Sequence, residues 1–152
     1  MSDPDSAPTA SSARWWWALG VLGCCLASLA AKWWANAARV DVGHGDIGFY
    51  VTVARNLAEG RGFVIDYVWS HWAQAEGIPT PSNVWWMPLP SILGALGMRL
   101  GNMDYSSAQA ATIVFSSLLP VPMYLLGRDL FHSRAVGLAG AALSSTFHLF
   151  LD

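Results

Sequence analysis

The polar residues that could do chemistry are concentrated in one part of the chain, residues 39–107. Asp46 lies there, directly before an amphipathic segment. A positioned carboxylate of this kind can act as a general base, because it can accept the proton of an attacking hydroxyl group. A short acidic side chain before a helix is equally suited to be its N-cap, where it accepts a bond from a free backbone N–H. The residues alone leave both interpretations of Asp46 open.

A metal site is a second chemistry that this region could support. Asp41, His44 and Asp46 lie close together in sequence, and Gly43 and Gly45 separate them. Carboxylate and imidazole groups are ligands for divalent cations, and glycines give the backbone freedom to bring them together. The alternative is a loop whose polar side chains are simply solvated.

Two arginines and a tryptophan are candidates for substrate binding. Arg55 and Arg61 could each donate two hydrogen bonds to a phosphate group. Arg55 could instead pair with Glu59 one helical turn later, whereas Arg61 has no obvious partner nearby in sequence. Trp85 could stack on a sugar ring or anchor the chain at a membrane interface.

Two short helices are predicted to position these residues. Apolar side chains recur every three or four positions over residues 47–59, and Gly60 suits the position just after a helix C-terminus. Residues 91–100, after a proline-rich loop, are predicted to form the second helix. The predicted apolar face of the first helix contains Ile47, Tyr50, Val51, Ala54, Leu57 and Ala58. Its predicted polar face contains Gly48, Thr52, Arg55, Asn56 and Glu59.

The composition of the chain is that of a membrane protein. Of its 152 residues, 54% are hydrophobic, only 12% are charged and nine are Trp, whereas soluble domains are about 25% charged. The net charge of −2 leaves no basic surface for nucleic acid. The two adjacent cysteines, Cys24 and Cys25, offer neither a disulfide framework nor a metal-ligand spacing. The composition therefore argues against a cytosolic enzyme.

Three segments are predicted to cross the membrane, residues 14–38, 108–127 and 135–151, because a crossing needs about 20 mostly apolar residues. Trp clusters at the two ends of the first segment would lie about 28 Å apart along a helix, near the two interfaces. Pro120 and Pro122 are expected to kink the end of the second segment. The predicted fold is an all-α integral membrane protein, with about three transmembrane helices and short juxtamembrane helices in a large outer loop.

Positive charge sets the predicted orientation. Arg128 and Arg134 lie in the predicted short loop 128–134, and short basic loops stay in the cytoplasm. Residues 39–107 are then outside. The N-terminus is cytoplasmic, and residues 1–13, which are polar and without periodicity, are predicted to be a disordered tail.

Several short motifs together resemble a known family. The chain contains, in order, GDIGFYVTVARNLAEGRGF, DYVW, WWMPLPSILGAL and YLLGRDLF, followed by a Gly- and Ala-rich apolar segment. Residues 38–152 resemble the amino-terminal part of GT-C superfamily membrane glycosyltransferases, in the branch of protein mannosyltransferases and lipid A aminoarabinose transferase. The resemblance implies transfer of a sugar from a polyprenyl-phosphate donor to an acceptor on the outer face of the membrane. Asp46 matches the acidic residue at the family's catalytic centre, while Ile47 stands where many relatives carry a second acid.

The resemblance also implies partners and a location. Members of that family have many more transmembrane helices, so the chain is expected to begin a longer protein and to be inactive without the missing C-terminal helices. The lipid bilayer and the sugar donor are the other expected partners, the expected location is the bacterial inner (plasma) membrane, and a divalent metal cofactor stays open. The alternative is a non-enzymatic small membrane protein, such as an assembly or transporter subunit, or an inactive remnant.

Overall fold

Two structural units divide the chain, and both are built mainly from helices. The computed structural model describes residues 10–38, 45–68, 77–82 and 86–146. We call Asn36–Phe115 the central unit, and Met1–Ala35 together with Ser116–Asp152 the terminal unit. The helices are α1 (Ala10–Asn36), α2 (Gly45–Ala58), α3 (Leu89–Leu100), α4 (Tyr105–Ser116), α5 (Pro120–Phe131) and α6 (Arg134–Thr146), and the strands are β1 (Val64–Ile65) and β2 (Thr80–Pro81).

Two helical segments are long and apolar enough to cross a membrane, Trp15–Asn36 and Tyr105–Phe131. The first belongs to α1, which begins at Ala10. Residues 10–13 are therefore helical and not part of a disordered tail, because the stretch contains no helix breaker and begins and ends with alanine, the best helix former. Residues 1–9 lie outside the described ranges.

The third predicted span, residues 135–151, is represented by α6. Its 13 residues rise only about 20 Å, less than the roughly 30 Å of a bilayer core. The remaining residues of that prediction, 147–151, lie outside the described ranges. The described residues thus contain two candidate spans, and a third stays a prediction.

Two prolines interrupt the second candidate span. Pro120 and Pro122 have no N–H to donate to the carbonyl groups of Ser116 and Leu118, four residues earlier. Each of these carbonyls accepts instead from the backbone N–H three residues later, at 3.2 and 3.0 Å. The helix is interrupted as expected, although the break lies in the middle of the segment and not at its end.

The predicted loop 128–134 is much shorter in the structure. α5 continues to Phe131, and His132 takes a left-handed conformation with φ 49°. Ser133 precedes α6, and its Oγ accepts a hydrogen bond from a backbone N–H in the first turn, that of Val136, at 3.4 Å. The connection between the two helices is therefore a tight turn with a capping serine.

Small residues allow close helix packing in the terminal unit. A Cβ atom on Gly137 would lie 2.6 Å from the carbonyl oxygen of Tyr124, and one on Gly127 would lie 3.0 Å from the Gly137 Cα. The Oγ of Ser145 also donates to the carbonyl of Cys24 at 3.1 Å. Close contact through small residues is how helices associate in lipid.

In the central unit, α2 is buried on two sides. One side packs Ala54 against Ala95, Met98 and Ala108. The other side forms a cluster of Phe49, Val53 and Ile65 with Tyr50, Tyr67 and Trp86 around it. The predicted faces of this helix are therefore partly wrong: Phe49 and Val53 are buried, Asn56 is buried although it was predicted on the polar face, and Ile47 is 37% exposed.

A short antiparallel ribbon completes the central unit. Val64 pairs with Pro81 and Ile65 with Thr80, and the Ser82 N–H donates to the Phe63 carbonyl at 3.0 Å. The ribbon carries Ile65 into the cluster against α2. The fold of the described residues is thus mostly helical, as predicted, with one short ribbon.

Candidate functional site

Asp46 lies in the first turn of α2, and its side chain is exposed. The described part of the helix starts at Gly45, one residue before Asp46. A carboxylate in the first turn interacts favourably with the positive end of the helix dipole. Asp46 is therefore an accessible anionic group at a helix N-terminus.

The predicted metal site cannot be assembled from the described residues. Asp41 and His44 lie outside them. Within the described ranges, no group of three or more His, Cys, Asp or Glu side chains is arranged to hold a metal ion. A site made of Asp41, His44 and Asp46 stays a prediction.

Arg61 has partners that the sequence analysis did not find. Its guanidinium group donates to Glu59 Oε2 at 2.7 and 3.0 Å and to both carboxylate oxygens of Asp66 at 3.0 Å. Hydrogen bonds from Glu59 and then Asp66 raise the pKa of Arg61 above its usual value. The expectation that Arg61 lacks a local partner is wrong, because the chain turns after α2 and brings Asp66 back to it.

These contacts change what Arg61 can bind. The cluster of Arg61, Glu59 and Asp66 carries one positive and two negative charges, so its net charge is negative. All three side chains are exposed, and exposed ion pairs contribute only about 0–1 kcal/mol. A phosphate group would have to displace carboxylates that already occupy both edges of the guanidinium group.

Arg55 is exposed, and its Nη2 donates to the carbonyl of Met103 at 3.4 Å. The predicted pair with Glu59 is not formed, since Glu59 bonds to Arg61 instead. Asp46 and Arg55 are nine positions apart on α2, which corresponds to about 13 Å along the axis and about half a turn around it. The two side chains therefore point from opposite sides of the helix, and α2 does not join them in one site.

The C-terminus of α2 follows the prediction for Gly60. This residue has a φ of 84°, and its N–H bonds to the Leu57 carbonyl at 3.2 Å while the Arg61 N–H bonds to the Asn56 carbonyl at 2.8 Å. This pair of bonds is the Schellman motif, which requires a left-handed residue after the helix. The motif ends α2 and sends the chain toward the ribbon.

An aromatic cluster flanks α2. The Trp86 ring lies 5.7 Å from the Phe49 ring and 5.9 Å from the Tyr50 ring, measured between centroids. Trp85, the candidate for sugar stacking, lies outside the described ranges. Burial raises the pKa of the neighbouring Tyr67 phenol, and a hydrogen bond with Thr52 partly opposes this.

Two polar residues in the central unit were missed from the sequence. Asn56 is fully buried and its Nδ2 donates to the Val64 carbonyl at 2.8 Å, which ties α2 to the ribbon. Its spacing from Phe49 and Val53 places all three on one helix face and could have indicated burial. Arg99 donates to the carbonyls of Leu57 and Ala58 at 3.2 Å each, but this contact joins two helices and leaves no sequence signal.

Comparisons of the chain with protein-family models, with curated proteins and with solved structures find no match.

Proposed function

We propose that this chain is a membrane glycosyltransferase, or the amino-terminal part of one, that transfers a sugar from a polyprenyl-phosphate donor to an acceptor on the outer face of the membrane. The proposed location is the bacterial inner membrane, with a cytoplasmic N-terminus. The proposal rests on the motif resemblance to GT-C enzymes together with one structural observation. That observation is the exposed carboxylate of Asp46 in the first turn of α2.

The proposed role of Asp46 is that of a general base. Sugar transfer requires an acceptor hydroxyl group to attack the anomeric carbon as the bond to the lipid phosphate breaks. An exposed carboxylate can accept the hydroxyl proton during this step, and the phosphate leaves as the anion of the lipid carrier. Asp46 has no such activity by itself, because the reaction also needs groups that bind the donor.

The residues that bind the donor phosphate are not assembled around Asp46 in the described part of the chain. Arg61 follows the opposite end of α2, which is about 20 Å long, and two carboxylates neutralise it. Arg55 extends from the other side of the helix. We therefore propose that the donor site is completed by further transmembrane helices, and that the 152-residue chain alone does not turn over.

A second candidate is a non-enzymatic membrane subunit. The observation that favours it is the same separation: the candidate base and the candidate phosphate-binding arginines do not face a common space along α2. In this alternative, the acidic and basic residues of the central unit only support its fold.

Transfer activity of Asp46 variants tests the proposal. The protein that contains this chain would be reconstituted in nanodiscs with a radiolabelled polyprenyl-phosphate sugar and an acceptor that carries a free hydroxyl group, and the rate of sugar transfer to the acceptor would be measured. Asp46→Asn removes the proton acceptor but keeps the size of the side chain. We expect the rate to fall by roughly 10² to 10⁴, the usual contribution of a general base.

Asp129→Asn is the matched control, since Asp129 is an exposed aspartate of the terminal unit that pairs with its neighbour Arg128. Its rate should equal that of the unsubstituted protein. Near-normal turnover of Asp46→Asn would reject the catalytic role. No transfer by the unsubstituted full-length protein would reject the enzyme and support the second candidate.

A further inference from the structure

The break in the second candidate span lies where the chain passes from one structural unit to the other. The boundary between the units crosses the chain between Ala35 and Asn36 and again between Phe115 and Ser116. The break begins at Ser116, because its carbonyl would normally accept from residue 120, and Pro120 has no N–H. Proline is one of the few features at which helices bend sharply. One of the two chain connections between the units thus lies at a point where a helix can bend.

Short turns hold the backbone at the break. The Leu119 N–H bonds to the Ser116 carbonyl at 3.2 Å, and the Val121 N–H bonds to the Leu118 carbonyl at 3.0 Å. Bonds between residues three apart have poorer geometry than those of an α-helix, and a stretch of them inside a helix often marks a hinge. The backbone bonds therefore hold this point of the segment more weakly than they hold α4 and α5 on either side.

Lys32 supplies the donor that Pro120 lacks. Its Nζ donates to the Ser116 carbonyl at 2.9 Å and to the Ser116 Oγ at 3.1 Å. The side chain is only 5% exposed, although Lys32 directly precedes Trp33 and Trp34 near the end of a candidate span. A lysine near the end of such a helix normally extends to the interface, because an ammonium group inside a membrane is costly. Here the side chain turns inward, so its ammonium group is a structural part of the break.

Helix α6 gives this contact a fixed base within the terminal unit. The Ser145 Oγ of α6 donates to the Cys24 carbonyl of α1 at 3.1 Å. Gly137 of α6 packs against the Tyr124 carbonyl of α5, where a Cβ atom would lie 2.6 Å away. Helices α1 and α5 are thus both held by α6. Lys32 therefore ties the start of the break to a helix whose own position is already set.

We propose that the break from Ser116 to Pro120 is a hinge, and that the hydrogen bonds from Lys32 to Ser116 restrain it. With these bonds, the carbonyl that lost its helical partner is tied to α1, and the segment keeps one direction through the break. Without them, the short turns alone resist bending. Helix α4 leads from the hinge into the central unit, so the restraint acts on the chain connection to the unit that carries Asp46. The hinge does not depend on sugar transfer.

Distance measurements across the break in nanodiscs test the hinge. Cys24→Ala and Cys25→Ala first remove the native thiols, and spin labels then replace Ser106 in α4 and Leu126 in α5, which are both exposed. An uninterrupted helix would separate these positions by about 30 Å, a distance that pulsed EPR measures. We expect one narrow distance distribution when Lys32 is present. Lys32→Met keeps the length of the side chain but has no donor, and it should broaden the distribution roughly two-fold, because the proline break then bends.

The two prolines of the break provide a matched pair of backgrounds. Pro120→Ala restores an N–H that can reach the Ser116 carbonyl, so Lys32→Met should change the distribution little in this background. Pro122→Ala restores an N–H for the Leu118 carbonyl instead, which leaves the Ser116 carbonyl dependent on Lys32. In that background Lys32→Met should broaden the distribution as it does with both prolines. Ser116→Ala removes only the Oγ contact and should broaden the distribution less than Lys32→Met does.

Three results would overturn the proposal. An unchanged distribution in both Lys32→Met and Ser116→Ala would mean that the break is rigid without these hydrogen bonds. Equal broadening by Lys32→Met in the Pro120→Ala and Pro122→Ala backgrounds would mean that Lys32 does not act through the freed carbonyl. A second pair of labels, at Leu19 and Trp34, lies within α1 and does not cross the break. Broadening of this pair by Lys32→Met would mean that Lys32 stabilises α1 itself and not the hinge.

Discussion

Among the described residues, the central unit buries several large apolar side chains, whereas the terminal unit buries mainly small or polar ones. The buried polar residues of the terminal unit are Ser28, Lys32, Ser117, Ser144 and Ser145. Four of the five tryptophans in α1, and most of its leucines, are exposed. The central unit has its largest fully buried side chains at Phe49, Val53, Ile65 and Met98. Helices that face lipid typically bury small and polar residues and expose large apolar ones. A domain that faces water on at least part of its surface typically has a core of large apolar residues.

This difference indicates where chemistry can be placed. The terminal unit uses its polar groups to join helices, so few remain for a substrate. The central unit carries the exposed Asp46, Arg55 and Arg99 on a core that apolar packing already stabilises. Helix α3 is the exception in the central unit, because Leu89, Ile92, Leu96 and Leu100 are exposed on it, and in this respect it resembles the terminal unit.

Substitutions of tightly packed glycines are expected to have the largest effect on the stability of the two units. Gly97→Ala places a methyl group against the Ser107 carbonyl in the central unit, and Gly137→Ala places one against the Tyr124 carbonyl in the terminal unit. Both should lower the free energy of unfolding by about 1–3 kcal/mol, the usual cost of overpacking. Thermal unfolding in detergent, followed by circular dichroism, measures the change.

The controls are helical glycines with open surroundings. A Cβ atom on Gly48 in α2 or on Gly23 in α1 meets nothing within 4 Å. Gly48→Ala and Gly23→Ala should leave stability unchanged or raise it by up to about 1 kcal/mol, because alanine favours helix. Equal effects in all four variants would contradict the packing described for both units.

A double-mutant cycle on the contact between Lys32 and Ser116 in the terminal unit is expected to show a smaller effect on stability. Lys32 donates from Nζ to the Ser116 carbonyl at 2.9 Å and to the Ser116 Oγ at 3.1 Å. This contact serves a carbonyl that Pro120 cannot reach. The variants Lys32→Met and Ser116→Ala should show a coupling energy of about 1 kcal/mol, since residues that share a hydrogen bond are not additive.

Lys32→Met combined with Ser133→Ala is the control pair. Ser133 follows α5, whose 12 residues separate it from the proline break by about 18 Å. Its effect should add to that of Lys32→Met within about 0.5 kcal/mol. Additivity for Ser116 as well would reject the hydrogen bond between Lys32 Nζ and Ser116 Oγ as a stabilising contact of the terminal unit, since the bond to the Ser116 carbonyl remains in Ser116→Ala.

Acid titration of Asp104 should have the smallest effect on the stability of the protein. The backbone N–H of Ser107 lowers the pKa of this carboxyl group. A lowered pKa in the folded state means that the stabilising contribution is fully present above the unfolded pKa of about 3.9 and is lost as pH falls through the folded value. The difference in melting temperature between the unsubstituted protein and Asp104→Asn should therefore shrink as pH falls below about 4. A difference that is constant with pH would show that the carboxylate charge does not contribute.

The positions where helices end or are interrupted were predictable from the sequence, because they depend on neighbouring residues. Gly60 ends α2 as predicted, and Pro120 and Pro122 interrupt the second candidate span. The partners of Arg61 were not predictable, because Asp66 reaches it only through the turn after α2. The periodicity of α3 indicated that its large apolar residues share a face, but the same period describes a face toward protein and a face toward lipid.

The candidate site was predictable only in part for a related reason. The position of Asp46 at the start of a helix follows from its local sequence. Its separation from Arg55 follows from the length and twist of α2, and the rest of a donor site would come from contacts that no local pattern encodes. The burial of Asn56 depends likewise on the ribbon that packs over it.

Accessibility labelling tests the proposed topology most directly, in which the outer loop predicted over residues 39–107 lies outside the membrane and the turn between α5 and α6 lies in the cytoplasm. Ile78 is 62% exposed, and His132 is exposed in that turn. In a chain without native cysteines, a cysteine at position 78 should react with a membrane-impermeant maleimide in intact cells. A cysteine at position 132 should react only after permeabilisation. Protection at 78 with labelling at 132, or labelling of both in intact cells, would contradict the account.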